Sequence, residues 1–204
     1  MSIDDVECLG LRARKKRATR DALSAAALQL ALERGLENVR VDDIAAAAGV
    51  STRTYNNYFS SREEAICALA IGRARRAADV LRERPADEPL AEALVYAMVD
   101  QYAGSREPRR EVVRLLTTST ALRGEFLRTV AEVEGWMAEA IAARTGTDAV
   151  RDLYPRVLAA VVHSAARVAV EFWLRPDCTT PFAELVRSAL AQVVPATAID
   201  RKVA

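Results

Sequence analysis

Residues 41–64, VDDIAAAAGVSTRTYNNYFSSREE, constrain the fold of this chain more than any other segment. Asp42, Asp43, Ile44, Ala45 and Ala48 suit a short helix whose acidic start faces the positive end of the helix dipole. Gly49 supplies the backbone freedom of a tight turn, and Val50 can fill the apolar gap between two crossing helices. Ser51 can cap a second helix, leaving Thr52, Arg53, Thr54, Asn56 and Asn57 near its exposed start. Those side chains offer donors and acceptors over short and long reach, as base edges and phosphates require. Tyr58 and Phe59 close the helix with aromatic mass, and Ser61, Glu63 and Glu64 open the next one. The pattern is a helix-turn-helix, and it implies a double-stranded DNA partner.

Charge is distributed to match. The chain carries 29 basic against 28 acidic residues, so no global field draws in nucleic acid. The basic charge is local: Arg12, Arg14, Lys15, Lys16, Arg17 and Arg20 occupy residues 12–20 with no acidic residue among them. From Ser51 to Arg62 the charged residues are Arg53 and Arg62, both positive. Local patches suffice for phosphate contact, and such binding weakens steeply with salt. A basic terminus can also be merely a solvated tail.

This segment resembles the TetR family of bacterial transcription regulators. The family pattern is a basic first helix, an IA..AGVS..T turn, an aromatic pair and a K/R-E-E/D start of a linking helix. Here these are Arg17 to Leu32, Ile44-Ala45, Ala48 to Ser51, Thr54, Tyr58-Phe59 and Arg62-Glu63-Glu64. The likeness covers residues 12–66 closely and beyond them rests on length and helical pattern. Two positions depart from it: Asn56 stands where the family usually has Tyr, and Arg40 where it usually has Thr. Asn56 can still donate to a phosphate or read an adenine edge, and Arg40 can meet a phosphate as a cation.

The rest of the sequence reads as all-α, with Ala and Leu abundant and few alternating β-branched runs. The expected order begins with a flexible arm over 1–12 and a helix-turn-helix DNA-binding domain over 13–61. Residues 62–195 follow as a linking helix plus a ligand-binding and dimerisation domain, and 196–204 as a tail. The first helix should run from about Arg14 to Glu33, with Ala22, Ala25, Ala26, Leu28, Ala31 and Leu32 as its apolar side and Gly35 ending it. The linking helix, from about Arg62 to Arg84, would span roughly 35 Å at ~1.5 Å per residue. Five more helices are expected near 88–103, 108–119, 121–144, 149–175 and 180–194. The last two are apolar on several faces and suit a homodimeric four-helix bundle across a two-fold axis, or simply the core of one chain. A dimer would read a pseudo-palindromic operator through two recognition helices.

Other classes lack parts. His163 is the sole histidine and has no nucleophile motif around it; no HExxH, GxxxxGK[ST] or GxGxxG occurs, which argues against an enzyme. Cys8, Cys67 and Cys178 are scattered, which speaks for reduced thiols and against a metal site or disulfide framework. No cofactor is called for. The N-terminus carries Asp4, Asp5 and Glu7 and no apolar run, and no uncharged apolar stretch of about 18 residues occurs, so a cytoplasmic protein without a membrane partner is expected.

The resemblance implies a repressor released by a small hydrophobic effector, fatty-acid-like or drug-like; a DNA-binding or architectural protein without an effector is the other reading. Thr52, Arg53, Thr54, Asn56 and Asn57, with Ser51 as cap, would enter the major groove. Arg17, Arg20, Arg40, Tyr58 and Arg62 would hold phosphates, and the basic arm would follow the backbone. Effector contacts are sought among Tyr96, Tyr102, Phe126, Trp136, Met137 and Trp173. Arg156, His163, Arg167 and Glu171 form a polar seam along the penultimate helix. That seam either turns His163 or Arg167 into a cavity or is a solvated or subunit-facing edge with Arg167 and Glu171 paired.

Overall fold

A computed structural model describes the backbone of residues 3–102 and 108–197, and the side chains of that set except 3–13, Phe126 and 195–197. The described elements are helical, with no strand among them. They are α1 (Ile3–Arg34), a 3-10 turn (Leu36–Asn38), α2 (Val41–Ala47), α3 (Thr52–Asn56), α4 (Arg62–Glu83) and α5 (Leu90–Asp100). Then come α6 (Arg110–Thr118), α7 (Arg123–Thr145), α8 (Leu153–Trp173) and α9 (Phe182–Thr197). The chain forms two compact units: residues 1–70 with 115–125, and residues 71–114 with 126–204.

The division falls inside α4 rather than at its start, because α4 buries different residues in each unit. Ala65, Ile66 and Cys67 are buried at its first turns, and Ala77, Ala78 and Leu81 at its last. Residues 115–125 join the first unit, where Leu122 is fully buried.

In the first unit, α1 begins at Ile3 instead of near Arg14. Its early residues contain no proline, and Gly10 alone does not stop a helix. The buried face of α1 is Leu23, Ala27, Leu30 and Ala31 with Ser24, one position away from the expected row; of that row only Ala31 is buried. The segment is so rich in Ala and Leu that periodicity alone does not fix its phase. Gly35, at φ 80°, ends α1, and a Cβ there would meet the Glu37 carboxylate at 2.5 Å. Leu36, Val39, Ile44, Tyr55 and Phe59 complete this core.

The second unit packs α5, α7, α8, α9 and the end of α4 around an aliphatic core, including Leu94, Met98, Met137, Ile141, Leu158 and Leu190. One aromatic cluster interrupts it: Phe182 lies 4.6 Å from Tyr102, edge to face, and 5.0 Å from Trp173. Of the apolar row on α9, Phe182, Val186 and Leu190 are buried within this single chain, while Leu185, Ala189 and Val193 are partly buried. The outer face of α9 is polar or small: Glu184, Arg187, Ser188 and Gln192 are exposed.

By contrast, α8 buries Leu158, Val162, Ala165 and Ala169 but leaves Leu153, Val157, Val168 and Phe172 exposed, Leu153 by 77% and Phe172 by 46%. With a mean hydropathy of 1.2 it is apolar and long enough to span a bilayer, although it contains no uncharged apolar run of that length. Arg156, Arg167 and Glu171 interrupt the run without lowering its average far. Packing of its inner face against α9 and the core accounts for that side of the hydropathy.

The exit from α4 is held from α7. The Arg144 guanidinium donates to the carbonyls of Arg84, Pro85 and Glu88, each at 2.9 Å, so one planar fork ties down three carbonyls of the loop that follows α4.

Candidate nucleic-acid interface

The turn is built from local signals. The Arg40 N–H donates to the Asp43 carboxylate at 3.3 Å, starting α2. Gly49 takes φ 69°, and Val50 closes the turn by donating to the Ala45 carbonyl at 2.9 Å. No atom lies within 4 Å of a Cβ placed at Gly49, so the backbone torsion alone selects glycine there. Ser51 caps α3: its hydroxyl accepts from the Thr54 N–H at 3.1 Å. Thr52 donates to the Asp42 carboxylate at 2.7 Å, tying the start of α3 back to α2.

Across α3 the side chains divide cleanly. Tyr55 is buried, stacked obliquely on Phe59 at 5.8 Å, with its hydroxyl donating to the Ser61 carbonyl at 2.8 Å. Burial, and then the nearby Glu64 and Glu63, push its pKa up to about 12, so it stays a neutral donor. Thr52, Arg53, Asn56 and Asn57 are exposed, and spacings of one and four residues put them on one face. Thr54 is half-buried and shares a hydrogen bond with Ser51. Among the described residues the Arg53 guanidinium is in no ion pair or hydrogen bond, which leaves its fork of donors open to a base edge or phosphate.

The residues expected to hold phosphates fall into two groups. Arg17 and Arg40 are exposed. Arg20 and Arg62 instead do work inside the unit. Arg20 lies over the Phe59 ring at 4.3 Å, donates to the Tyr58 carbonyl at 2.8 Å and lies 3.6 Å from Glu64. Arg62 donates to the Val39 carbonyl at 2.8 Å and to Glu63 at 2.7 Å. Both guanidiniums latch α3 and α4 to the elements before them; a phosphate role would have to share those donors. Tyr58 is half-buried, its carbonyl engaged by Arg20. The side chain of Arg12 lies outside the described residues.

Sequence reasoning did not single out Tyr55, although its spacing of four from Phe59 was the available signal. The bond from Thr52 to Asp42 had no sequence signal, since it spans the turn.

The expected effector residues do not converge. Tyr96 is 47% exposed with the Arg84 guanidinium 4.0 Å above its ring, so it lies on the surface and not in a cavity. Met137 is wholly buried in the core. Arg167 is exposed and paired with Glu171, one turn on, so the outer part of the polar seam faces out of this chain as a solvated or subunit-facing edge. Arg156 is exposed as well. Trp136 is half-buried beneath Arg75 at 5.3 Å, and Tyr102 is half-buried against Phe182. His163 is half-buried, with Nδ1 2.9 Å from the Ala159 carbonyl. Burial lowers its pKa against the smaller opposing pull of that carbonyl and of Glu134, favouring the neutral ring. The Phe126 side chain lies outside the described residues. An open groove of about 390 Å³ runs beside Pro108, Arg110, Trp173 and Thr180, and none of the expected contacts except Trp173 lines it.

Comparison with known proteins follows the same two-part division. Residues 23–66 match the model of bacterial regulatory proteins of the tetR family, and residues 84–198 match that of the MftR C-terminal domain. The HTH-type transcriptional regulator TcmR of Streptomyces glaucescens is 38% identical, over 82% of this chain and 79% of that protein. The fatty acid degradation regulator FadR of Bacillus halodurans shares the fold at a TM-score of 0.56 and 22% identity, covering 86% of this chain and 94% of that one. So does Thermus thermophilus FadR, a transcriptional repressor solved with lauroyl-CoA, at a TM-score of 0.53 and 16% identity, covering 90% and 97%.

Proposed function

The chain belongs to the TetR family of bacterial regulatory proteins, and from that premise we propose that it is a cytoplasmic homodimeric repressor released by a small hydrophobic effector. That it is a DNA-binding transcription regulator and not an enzyme comes with the family. The observation that carries the repressor's DNA contacts is the exposed face of α3. There Thr52, Arg53, Asn56 and Asn57 stand together on a helix fixed from behind by Tyr55 and Phe59. Arg53 is the base-reading guanidinium and Arg17 and Arg40 hold phosphates, while Arg20 and Arg62 keep the recognition helix in place.

Pairing is supported by the exposed apolar row of α8, which has no reason to face water in a lone chain. The polar outer face of α9 makes α8 the principal contributor. Two recognition helices related by a two-fold axis would then read two half-sites of a pseudo-palindrome. The effector side is supported by the aliphatic second unit and by the shared fold of a FadR that holds lauroyl-CoA. Tyr102, Trp136 and His163 are the lining candidates that remain partly open to such a ligand. Release requires that the effector bind better to the conformation that DNA disfavours.

The test is fluorescence anisotropy of the full chain on the DNA flanking its own gene, beside a scrambled duplex, across a salt series. Tight binding to the native duplex alone, followed by release with a lipophilic compound, is the expected result. Equal binding to both duplexes would defeat the sequence-specific reading.

A further inference from the structure

Two adjacent carboxylates open α2, and they have different partners. Asp43 accepts from the Arg40 N–H at 3.3 Å and lies 3.9 Å from the Arg34 guanidinium, so it serves the start of its own helix. Asp42 is exposed and accepts from the Thr52 hydroxyl at 2.7 Å, ten residues on and across the turn. Among the described residues no cation pairs with Asp42. A carboxylate without a cation beside a recognition helix repels phosphate, which weakens every duplex alike. Its effect on Thr52 is different in kind. A free threonine hydroxyl has one proton and two lone pairs. By rotating, it can donate to guanine O6 or thymine O4, or accept from adenine N6 or cytosine N4. Here the proton is taken by Asp42, so only acceptor capacity is left for a base. The carboxylate also polarises the hydroxyl, which strengthens its oxygen as an acceptor. The other hydroxyls of the turn are engaged internally, since Ser51 and Thr54 share a hydrogen bond at 2.9 Å. Thr52 and Asp42 together therefore offer DNA acceptors, next to Arg53, which offers donors.

Building on the reading that α3 enters the major groove, we propose that Asp42 is a positioning residue for sequence recognition. It holds the Thr52 hydroxyl as an acceptor, and Thr52 selects an exocyclic amino group, that of adenine or cytosine, at one position of each half-site. Every base pair carries one such group in the major groove, on its adenine or its cytosine, so the contact fixes which strand bears it there. The first helix of the turn thus shapes specificity through Thr52 without touching a base.

The test uses the full chain and a duplex selected by it from a random pool. The major-groove amino groups of one half-site are removed singly, with purine in place of adenine and 2-pyrimidinone in place of cytosine, and affinity is read by fluorescence anisotropy. One replacement is expected to weaken the wild type roughly fivefold, the scale of one hydrogen bond. Thr52→Val and Asp42→Ala are expected to be indifferent to that replacement. Thr52→Ser keeps the hydroxyl and Asp42→Asn keeps an accepting oxygen, so both retain the sensitivity. Adding Asp42→Ala to Thr52→Val changes it no further. A role for Asp42 in helix stability alone would lower the melting temperature and weaken all duplexes alike, without erasing the response to one amino group. If every replacement that weakens the wild type weakens Asp42→Ala equally, the proposal is overturned and sequence-specific binding stands. The same holds if Thr52→Val weakens all duplexes alike, as loss of a phosphate contact would. A pool that yields no preferred sequence overturns both readings.

Discussion

Among the described residues neither Arg53 in the first unit nor Arg73 in the second has an ion pair or hydrogen bond, and the two stand in different surroundings. Arg53 in the first unit is exposed on α3, where water solvates it until something displaces that water. Arg73 in the second unit is half-buried, with Tyr102 as its polar neighbour. An exposed free cation suits a large polyanion that approaches from outside, such as a DNA duplex. Arg20, Arg62, Arg82, Arg84, Arg110 and Arg144, by contrast, are tied to backbone carbonyls or carboxylates.

The contrast can be broken at several points. The largest effect is expected from Phe182→Ala, which removes the ring that positions Tyr102 and contacts Trp173. It should destabilise the protein by about 3–5 kcal/mol in urea denaturation. A loss below about 1 kcal/mol would mean that Tyr102 is held some other way.

Next, Arg53→Ala should cost about 1–3 kcal/mol of discrimination between native and scrambled duplexes while leaving the melting temperature unchanged. Arg62→Ala should do the reverse. It loses the bonds to Val39 and Glu63, lowers the melting temperature and weakens all duplexes alike. Matched losses from both changes would show that tied and free arginines do not divide the labour in this way.

A smaller effect is expected from Ser51→Ala, which removes the α3 cap and should cost roughly 1 kcal/mol, seen as a lowered melting temperature. Smallest is a pH effect in the second unit. Because burial lowers the His163 pKa, the unfolded chain takes up a proton near pH ~6.5 that the folded chain resists. Stability should therefore fall as pH drops below that value, and His163→Leu should flatten the slope between pH ~7.5 and ~5.5. An identical slope in the variant would place the titration elsewhere.

The first unit was largely legible in its sequence because its signals are local. Gly49, Ser51 and Asp43 each fix a neighbouring turn or helix end, and their roles can be read within a few residues. What was not legible there depends on contacts across the chain. The carbonyl latches of Arg20 and Arg62 and the burial of Leu122 all arise from partners far away in sequence. In the second unit the helices were readable to within a few residues, yet the inward faces were not. Tyr96 and Arg167 look like pocket residues by type and spacing, but they lie off the buried rows, which are Ala93, Leu94, Ala97 and Met98 on α5 and Leu158, Val162, Ala165 and Ala169 on α8. Arg73 offered no signal at all, since one arginine among several on a long helix shows nothing of its burial.

The Arg144 fork on the carbonyls of Arg84, Pro85 and Glu88 bears on how α4 can move. Three bonds from one side chain fasten the loop just after α4 to α7 and so restrain sliding of the α4 end along its axis. They restrain a swing about that end far less, since small rotations leave the donor atoms near the centre of motion. The C-terminal end of α4 is therefore a pivot. Whatever tilts the helix from within the second unit acts as a torque about Arg144, and a lysine there, with no planar fork, would turn the pivot into a loose joint.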